Sequence, residues 1–213
     1  MIELLLEGGP FMFATLATSV VCVAIFIWRG IYFLSKGPSR SLLQQVVAFA
    51  ESKSYANAVQ LCSARSSPLA KILRAALIRS NRTEKEIRRA VETAALEEIP
   101  RVRAGTVFLP QLSNLATLFG LIGTIHGLII AFRAAGQESA AARQQMLSQG
   151  IAIAFYNTFF GLIVATMSVV FYLLLLGRMN ATLAFMEQAA ATVVDAILWN
   201  RDGQKPGGFR DAA

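Results

Sequence analysis

Charge is scarce in this sequence, and three long stretches have almost none. Asp, Glu, Lys and Arg make up 15% of the 213 residues, while 55% are hydrophobic and the mean hydropathy is +0.52. A soluble domain carries about a quarter charged residues, so this balance excludes an ordinary soluble fold. Acids are the rarer sign, 13 against 20 basic residues, and histidine occurs once. The two cysteines, Cys22 and Cys62, have no metal-ligand spacing around them, and a disulfide between them is not expected. Also missing are a phosphate-cradling glycine loop, a nucleophile triad and a cluster of metal ligands. These absences argue against an enzyme and call for no cofactor.

What is present is long apolar sequence. A spanning helix needs about 20 mostly apolar residues to cross a hydrocarbon core of roughly 30 Å. Three segments qualify: 11–34, 105–133 and 150–177. The first is not expected to be a cleaved signal peptide. Only Glu3 and Glu7 carry charge before it, and it ends in Trp28-Arg29 and Tyr32-Phe33, an interfacial anchor. No Asp, Glu or Lys lies in any of the three apolar cores. Arg29 and Arg133 sit near span ends, where long cationic side chains can snorkel. This chain therefore brings no carboxyl of its own to load and release a proton in mid-membrane.

Charge predicts the orientation. Residues 35–104 hold thirteen of the twenty basic residues and six acids, an excess equal to the chain's net charge of +7. Lys/Arg-rich loops stay in the cytoplasm. The expected layout is a periplasmic N-terminus (1–10), a cytoplasmic helical region (35–104), a periplasmic loop (134–149) and a cytoplasmic helix and tail (178–213). Topology and anionic inner-leaflet lipid account for the basic excess. Nucleic-acid binding is not expected, since no aromatic-interleaved basic patch or recognised fold accompanies it.

The predicted fold is an all-α membrane protein whose helices extend into the cytoplasm. Ser41–Ser54, Tyr55–Cys62 and Ser67-Pro68 through Arg79 read as helices, and Thr83-Glu84-Lys85-Glu86 is a capping box. From Thr83 to Phe132 the pattern predicts one long helix, kinked at Pro100 and Pro110. Gln204 onward reads as disordered.

Polar and small residues recur inside the second and third spans. Asn114, Thr117, Gly120, Gly123, Thr124, His126 and Gly127 lie in one; Gly150, Ala154, Asn157, Thr158, Gly161, Ala165 and Ser168 lie in the other. Residues 117, 120, 124 and 127 share a helix face. Periodicity alone favours close helix packing through Gly120, Gly123, Gly127 and Gly161, with a water-lined path as the other reading. His126 reads as a packing histidine ahead of a proton relay.

Two motifs then carry a resemblance. Leu118-Phe119-Gly120-Leu121-Ile122-Gly123-Thr124-Ile125-His126-Gly127-Leu128 resembles the L-L-G-L-L-G-T-V-x-G signature of the ExbB/TolQ/MotA family. Gly150-Ile151-Ala152-Ile153-Ala154-Phe155-Tyr156-Asn157-Thr158-Phe159-Phe160-Gly161-Leu162 resembles its G-I-A-E-A-L-x-A-T-x-x-G-L signature. The resemblance implies a stator subunit of a bacterial inner membrane. In it, five copies ring the spans of an ExbD/TolR/MotB-like single-span partner, whose aspartate takes up ions driven by the proton-motive force. It implies that Thr124 and Thr158 face that aspartate and that membrane lipids surround the ring; Asn157, Tyr156, Thr117 and Asn114, polar residues of the same two spans, are expected along the same pathway. It also tips the polar stripe toward the water-lined reading. Ile153 stands where the TolQ/ExbB pattern has Glu, Thr117 where many members have Pro, and Phe155-Tyr156-Asn157 where Leu-x-Ala is usual. These departures point to a divergent branch, such as gliding-motility motors, and leave the Glu's role unfilled unless Tyr156, Asn157 or His126 takes it. A non-conducting scaffold and a stand-alone small-solute channel are the alternatives, and both H⁺ and Na⁺ fit as the ion.

Overall fold

The computed structural model describes residues 9–136 and 139–202. The expected disorder from Gln204 onward, and most of the N-terminal 1–10 segment, lie outside the described residues. Seven α-helices are present among the described residues, with no strand: α1 (Pro10–Lys36), α2 (Arg40–Glu51), α3 (Tyr55–Ser63), α4 (Pro68–Ile78), α5 (Glu84–Arg103), α6 (Leu109–Arg133) and α7 (Ala140–Asp202). Short 3₁₀ turns occupy Thr106–Phe108 and Ala134–Gly136. Three of the helices are long and apolar enough to cross a membrane.

The chain divides into two compact units. One combines residues 1–30 with 105–176, and is built from most of α1, all of α6 and the first half of α7. Its buried positions follow helical seams. On α6 they are Leu109, Ser113, Ala116, Gly120, Gly123, Gly127 and Ala131, spaced by three and four. On α1 they include Met12, Thr15, Thr18 and Cys22. Side-chain hydroxyls bridge the helices: Ser113 Oγ donates to the Ala165 carbonyl at 3.0 Å, and Ser168 Oγ donates to the Leu109 carbonyl at 2.8 Å. Cys22 Sγ donates to Ser168 Oγ at 3.4 Å, and Phe26 stacks on Phe171 with centroids 4.1 Å apart. The outward faces keep Phe155, Phe159, Ile125 and Leu118 exposed, the arrangement expected where lipid or another subunit replaces water.

The other unit, residues 31–104 with 177–213, is a helical bundle whose starts are set by side-chain caps. Ser39 Oγ accepts from the Leu42 amide, and Ser67 Oγ accepts from the Ala70 amide with Pro68 in the first turn. Thr83 and Glu86 form the predicted capping box; the Thr83 hydrogen bonds hold the Glu86 carboxyl below its usual range. Leu42, Val46, Leu73, Ala76, Ile87, Val193 and Ile197 are fully or almost fully buried in its core. Glu98, with only 5% of its side chain exposed, accepts from Lys71 Nζ at 2.9 Å and from Arg101. Asn200 Nδ2 donates to the Ala50 carbonyl, and the Arg201 guanidinium donates to the Arg82 carbonyl at 2.7 Å.

Three expectations are corrected. The predicted helix from Thr83 to Phe132 is two helices, broken at Ala104–Gly105, and neither proline breaks it. Pro100 is inside α5, and Pro110 occupies the first turn of α6, where a missing N–H costs nothing. The break is made by Gly105, whose φ of +79° is a left-handed conformation open to glycine. The 134–149 segment, expected as a loop, has a 3₁₀ turn at Ala134–Gly136, and α7 begins at Ala140. Arg29 does not snorkel: its residue surface is 1% exposed, and its aliphatic stem lies against Gly105, where an added β-carbon would sit 3.0 Å from Arg29 Cδ.

Candidate functional site

The small residues of α6 and α7 permit a backbone-to-backbone approach. A β-carbon on Gly127 would lie 2.5 Å from the Ala154 nitrogen and 2.6 Å from the Gly150 oxygen. One on Gly161 would lie 2.9 Å from the Ala116 oxygen and from Gly120 Cα. One on Gly120 would meet the Asn157 oxygen at 3.1 Å, and one on Gly123 would overlap the Asn157 side chain. These glycines form the seam, as small residues do where membrane helices approach closely.

At the edge of this seam two hydroxyls meet. Thr124 Oγ1 and Thr158 Oγ1 are within hydrogen-bond reach, and both residues are half-buried. Thr124 Oγ1 also has the Gly120 carbonyl at 3.0 Å and the Ala154 carbonyl at 3.4 Å. A hydroxyl has one proton and two lone pairs. If Thr124 donates to Gly120, Thr158 donates to Thr124, and the lone pairs of Thr158 Oγ1 remain available. If Thr124 donates to Thr158 instead, the proton of Thr158 is free to point outward. The pair can thus present either an acceptor or a donor to a neighbouring group without changing its own protonation.

The other residues singled out from sequence divide around this pair. Asn157 is brought to it but is 1% exposed, packed over Gly123, with Nδ2 donating to the Ile153 carbonyl at 2.9 Å. Thr117 lies two turns from Thr124 on the same face of α6, half-buried, its hydroxyl donating to the Ser113 carbonyl at 3.2 Å. Asn114 is exposed. Tyr156 is two residues from Thr158, roughly 200° around α7, and lines a surface groove with Gln149, Ala152 and Ile153. Ile153 is 7% exposed. His126 sits edge-on to Phe11, centroids 5.6 Å apart, and its buried Nδ1 makes no hydrogen bond among the described residues. Sequence reasoning passed over Ser113, although it lies one turn before Thr117 and extends the same stripe. Among the described residues no group of His, Cys, Asp or Glu is placed to hold a metal ion.

The MotA/TolQ/ExbB proton channel family matches residues 64–188, which include both signature-like stretches and more than half of the chain. The chain belongs to this family. Its relatives include a biopolymer transport protein named ExbB-like 3 of Synechocystis sp., 30% identical over 169 residues, covering 78% of this chain and 80% of the relative. A second Synechocystis protein, ExbB-like 1, is 31% identical over 170 residues, covering 75% of this chain and 64% of the relative. An ExbB homologue of Methanothermobacter thermautotrophicus is 31% identical over 113 residues, covering 53% of this chain and 39% of the relative. As a MotA/TolQ/ExbB protein with three long apolar helices, the chain is a multi-pass membrane protein. The family is one of channels rather than of enzymes.

Proposed function

We propose that this chain is the channel-forming subunit of an ion-driven stator in a bacterial inner membrane. Five copies surround the spans of a single-span partner of the ExbD/TolR/MotB kind, and the partner supplies the ion-binding aspartate. The N-terminus faces the periplasm and the C-terminus the cytoplasm, as the basic excess of residues 35–104 argues. Family membership supports the channel role. The observation that carries the mechanism is the Thr124–Thr158 pair, two half-buried hydroxyls beside a seam whose apolar stretches, residues 105–133 and 150–177, contain no acid.

In this reading the pair faces the partner's carboxyl. Facing a protonated carboxyl, Thr158 Oγ1 accepts its O–H while Thr124 donates to the Gly120 carbonyl. Facing the carboxylate, Thr158 turns its proton outward and receives the Thr124 proton in its place. Each protonation state of the acid then has a matching hydrogen bond, so neither state is held against a buried unsatisfied group. Asn157 supports the site from behind by filling the seam over Gly123.

The test is proton flux into liposomes reconstituted with the complex purified through a tag on this chain, driven by a potassium diffusion potential. Thr158→Val removes both hydrogen-bonding roles at nearly constant volume and is expected to cut the flux at least tenfold, with the complex intact on a sizing column. Thr158→Ser should keep most of it. Flux through Thr158→Val equal to the parent's would refute the assignment. An intact parent complex that carries no flux would favour a non-conducting scaffold.

A further inference from the structure

We infer that Asn114 of one copy of this chain hydrogen-bonds Thr166 of the next copy, a contact that rests on the ring proposed above and fixes the height at which its copies align. Several polar side chains of α6 and α7 are satisfied within the chain. Thr117 and Thr124 donate to carbonyls one turn back, Ser113 and Ser168 donate across to the facing helix, and Thr158 meets Thr124. Asn114 and Thr166 are not. Both are exposed inside apolar spans, and neither makes a hydrogen bond among the described residues. A hydrocarbon surrounding offers them no donor or acceptor, so a partner must come from outside this chain.

Depth and direction identify that partner as a second copy. Ser113 bonds the Ala165 carbonyl across the antiparallel seam, so the next residues, Asn114 and Thr166, lie within about 3 Å of each other in height at about 1.5 Å per residue. They nevertheless point apart. Counting from Gly120, which faces α7, Asn114 is turned roughly 120° around α6; counting from Asn157, which faces α6, Thr166 is turned roughly 180° around α7. Each shares its side of the helix with exposed apolar residues: Leu118, Leu121 and Ile125 around Asn114, Phe159, Leu162 and Val170 around Thr166. In a ring where α6 and α7 alternate, these are the sides on which α6 of one copy meets α7 of the next. Copies related by an axis along the membrane normal sit at one height, so only residues of equal depth can meet. An amide with two donors and an acceptor then faces a hydroxyl with one donor and two lone pairs, and the pair is satisfied in either direction. An unrelated partner would have to bring a polar group of its own to each face. Asn114 thus belongs to the contact between copies rather than to the ion pathway.

The experiment uses the full chain in native membranes, in a Cys22→Ser/Cys62→Ser background. Oxidation of Asn114→Cys/Thr166→Cys with copper phenanthroline should give a ladder of cross-linked copies, while either single-cysteine variant gives none beyond a dimer. Asn114→Cys/Leu173→Cys places the second thiol on the same side of α7 but roughly 10 Å deeper, and should cross-link at least fivefold less. The second measurement is the lifetime of the extracted complex in mild detergent. Asn114→Leu and Thr166→Val should each shorten it about threefold, and the double variant should lose no more than the worse single one, since no group is then left unpaired. A complex of parental mass in which Asn114→Cys/Thr166→Cys forms no ladder, or in which the two losses simply multiply, would overturn the pairing and leave the stator reading standing. A parent that extracts as a single copy would overturn both.

Discussion

Replacing Gly127 with alanine tests the helix seam with the smallest possible change. The added β-carbon falls 2.5 Å from the Ala154 nitrogen, 2.6 Å from the Gly150 oxygen and 2.9 Å from Ala154 Cα. All three are backbone atoms, so no rotamer change relieves the overlap and α6 must move off α7. Overpacking of this kind costs about 1–3 kcal/mol. Alanine recovers up to about 1 kcal/mol over glycine as a helix former. With two overlaps this short the cost sits toward its upper end, leaving a net loss of roughly 1–2 kcal/mol. For a chain of this length that corresponds to a fall in Tm of about 2–8 °C. Gly120 is the control, because its nearest neighbours are the Asn157 oxygen at 3.1 Å and Gly161 Cα at 3.3 Å, which need give only slightly. Gly120→Ala should move Tm by no more than about 2 °C, since its mild crowding and its helix gain offset each other. The assay is thermal unfolding in detergent followed by the fluorescence of Trp28 and Trp199. Gly123 offers a further check, because a β-carbon there would lie 2.5 Å from Asn157 Cβ itself. Asn157→Ala should therefore fail to rescue Gly123→Ala, while Asn157→Gly should restore part of the loss. A Gly127→Ala variant as stable as the parent, or less damaged than Gly120→Ala, would refute the reasoning.

Two further predictions concern the second unit. Glu98→Ala removes a buried carboxylate that accepts from Lys71 and Arg101. The Lys71 and Arg101 side chains are 46% and 61% exposed, so the loss should be about 1.5–2 kcal/mol, the lower part of the range for charged hydrogen bonds; an unchanged unfolding midpoint would contradict the role given to Glu98. Burial pushes the Cys62 thiol from 9.0 up to about 11, against the opposing pull of Arg65 and Arg74. A raised folded value means that this contribution to stability is intact below about pH 9 and is lost as the pH rises toward 11. In a Cys22→Ser background, maleimide labelling of Cys62 should be about a hundredfold slower in the folded protein than in the unfolded chain. The fall in midpoint between pH 9 and 11 should be smaller in Cys62→Ser, and equal slopes would count against the assignment.

Much of this architecture was legible in the residues, because the relevant signals are local. Apolar length marks the spans, and Ser67-Pro68 and Thr83-Glu86 mark helix starts through short-range hydrogen bonds, whereas the Ser39 cap lies two residues before the start read at Ser41. The stripe of Gly120, Gly123, Thr124 and Gly127 is visible because its spacing repeats the helix period. Features set by tertiary contacts were hidden. Gly105 reads as one small residue in a helical run, and its left-handed turn is recognisable only beside the buried stem of Arg29. Arg29 itself looks like a span-end anchor until its burial is seen. The run from Ala140 to Leu147 is rich in good helix formers, yet its place between two spans made a loop the simpler reading. Within the candidate site, one residue of register separates buried Asn157 from half-exposed Thr158, a difference that periodicity alone does not resolve.

The most direct test of the stator account is the native mass of the complex extracted gently from membranes through a tag on this chain. The account predicts five copies of this chain together with a smaller single-span protein whose span carries an acid. A ring of this chain with no companion, obtained under the same mild extraction, would contradict it.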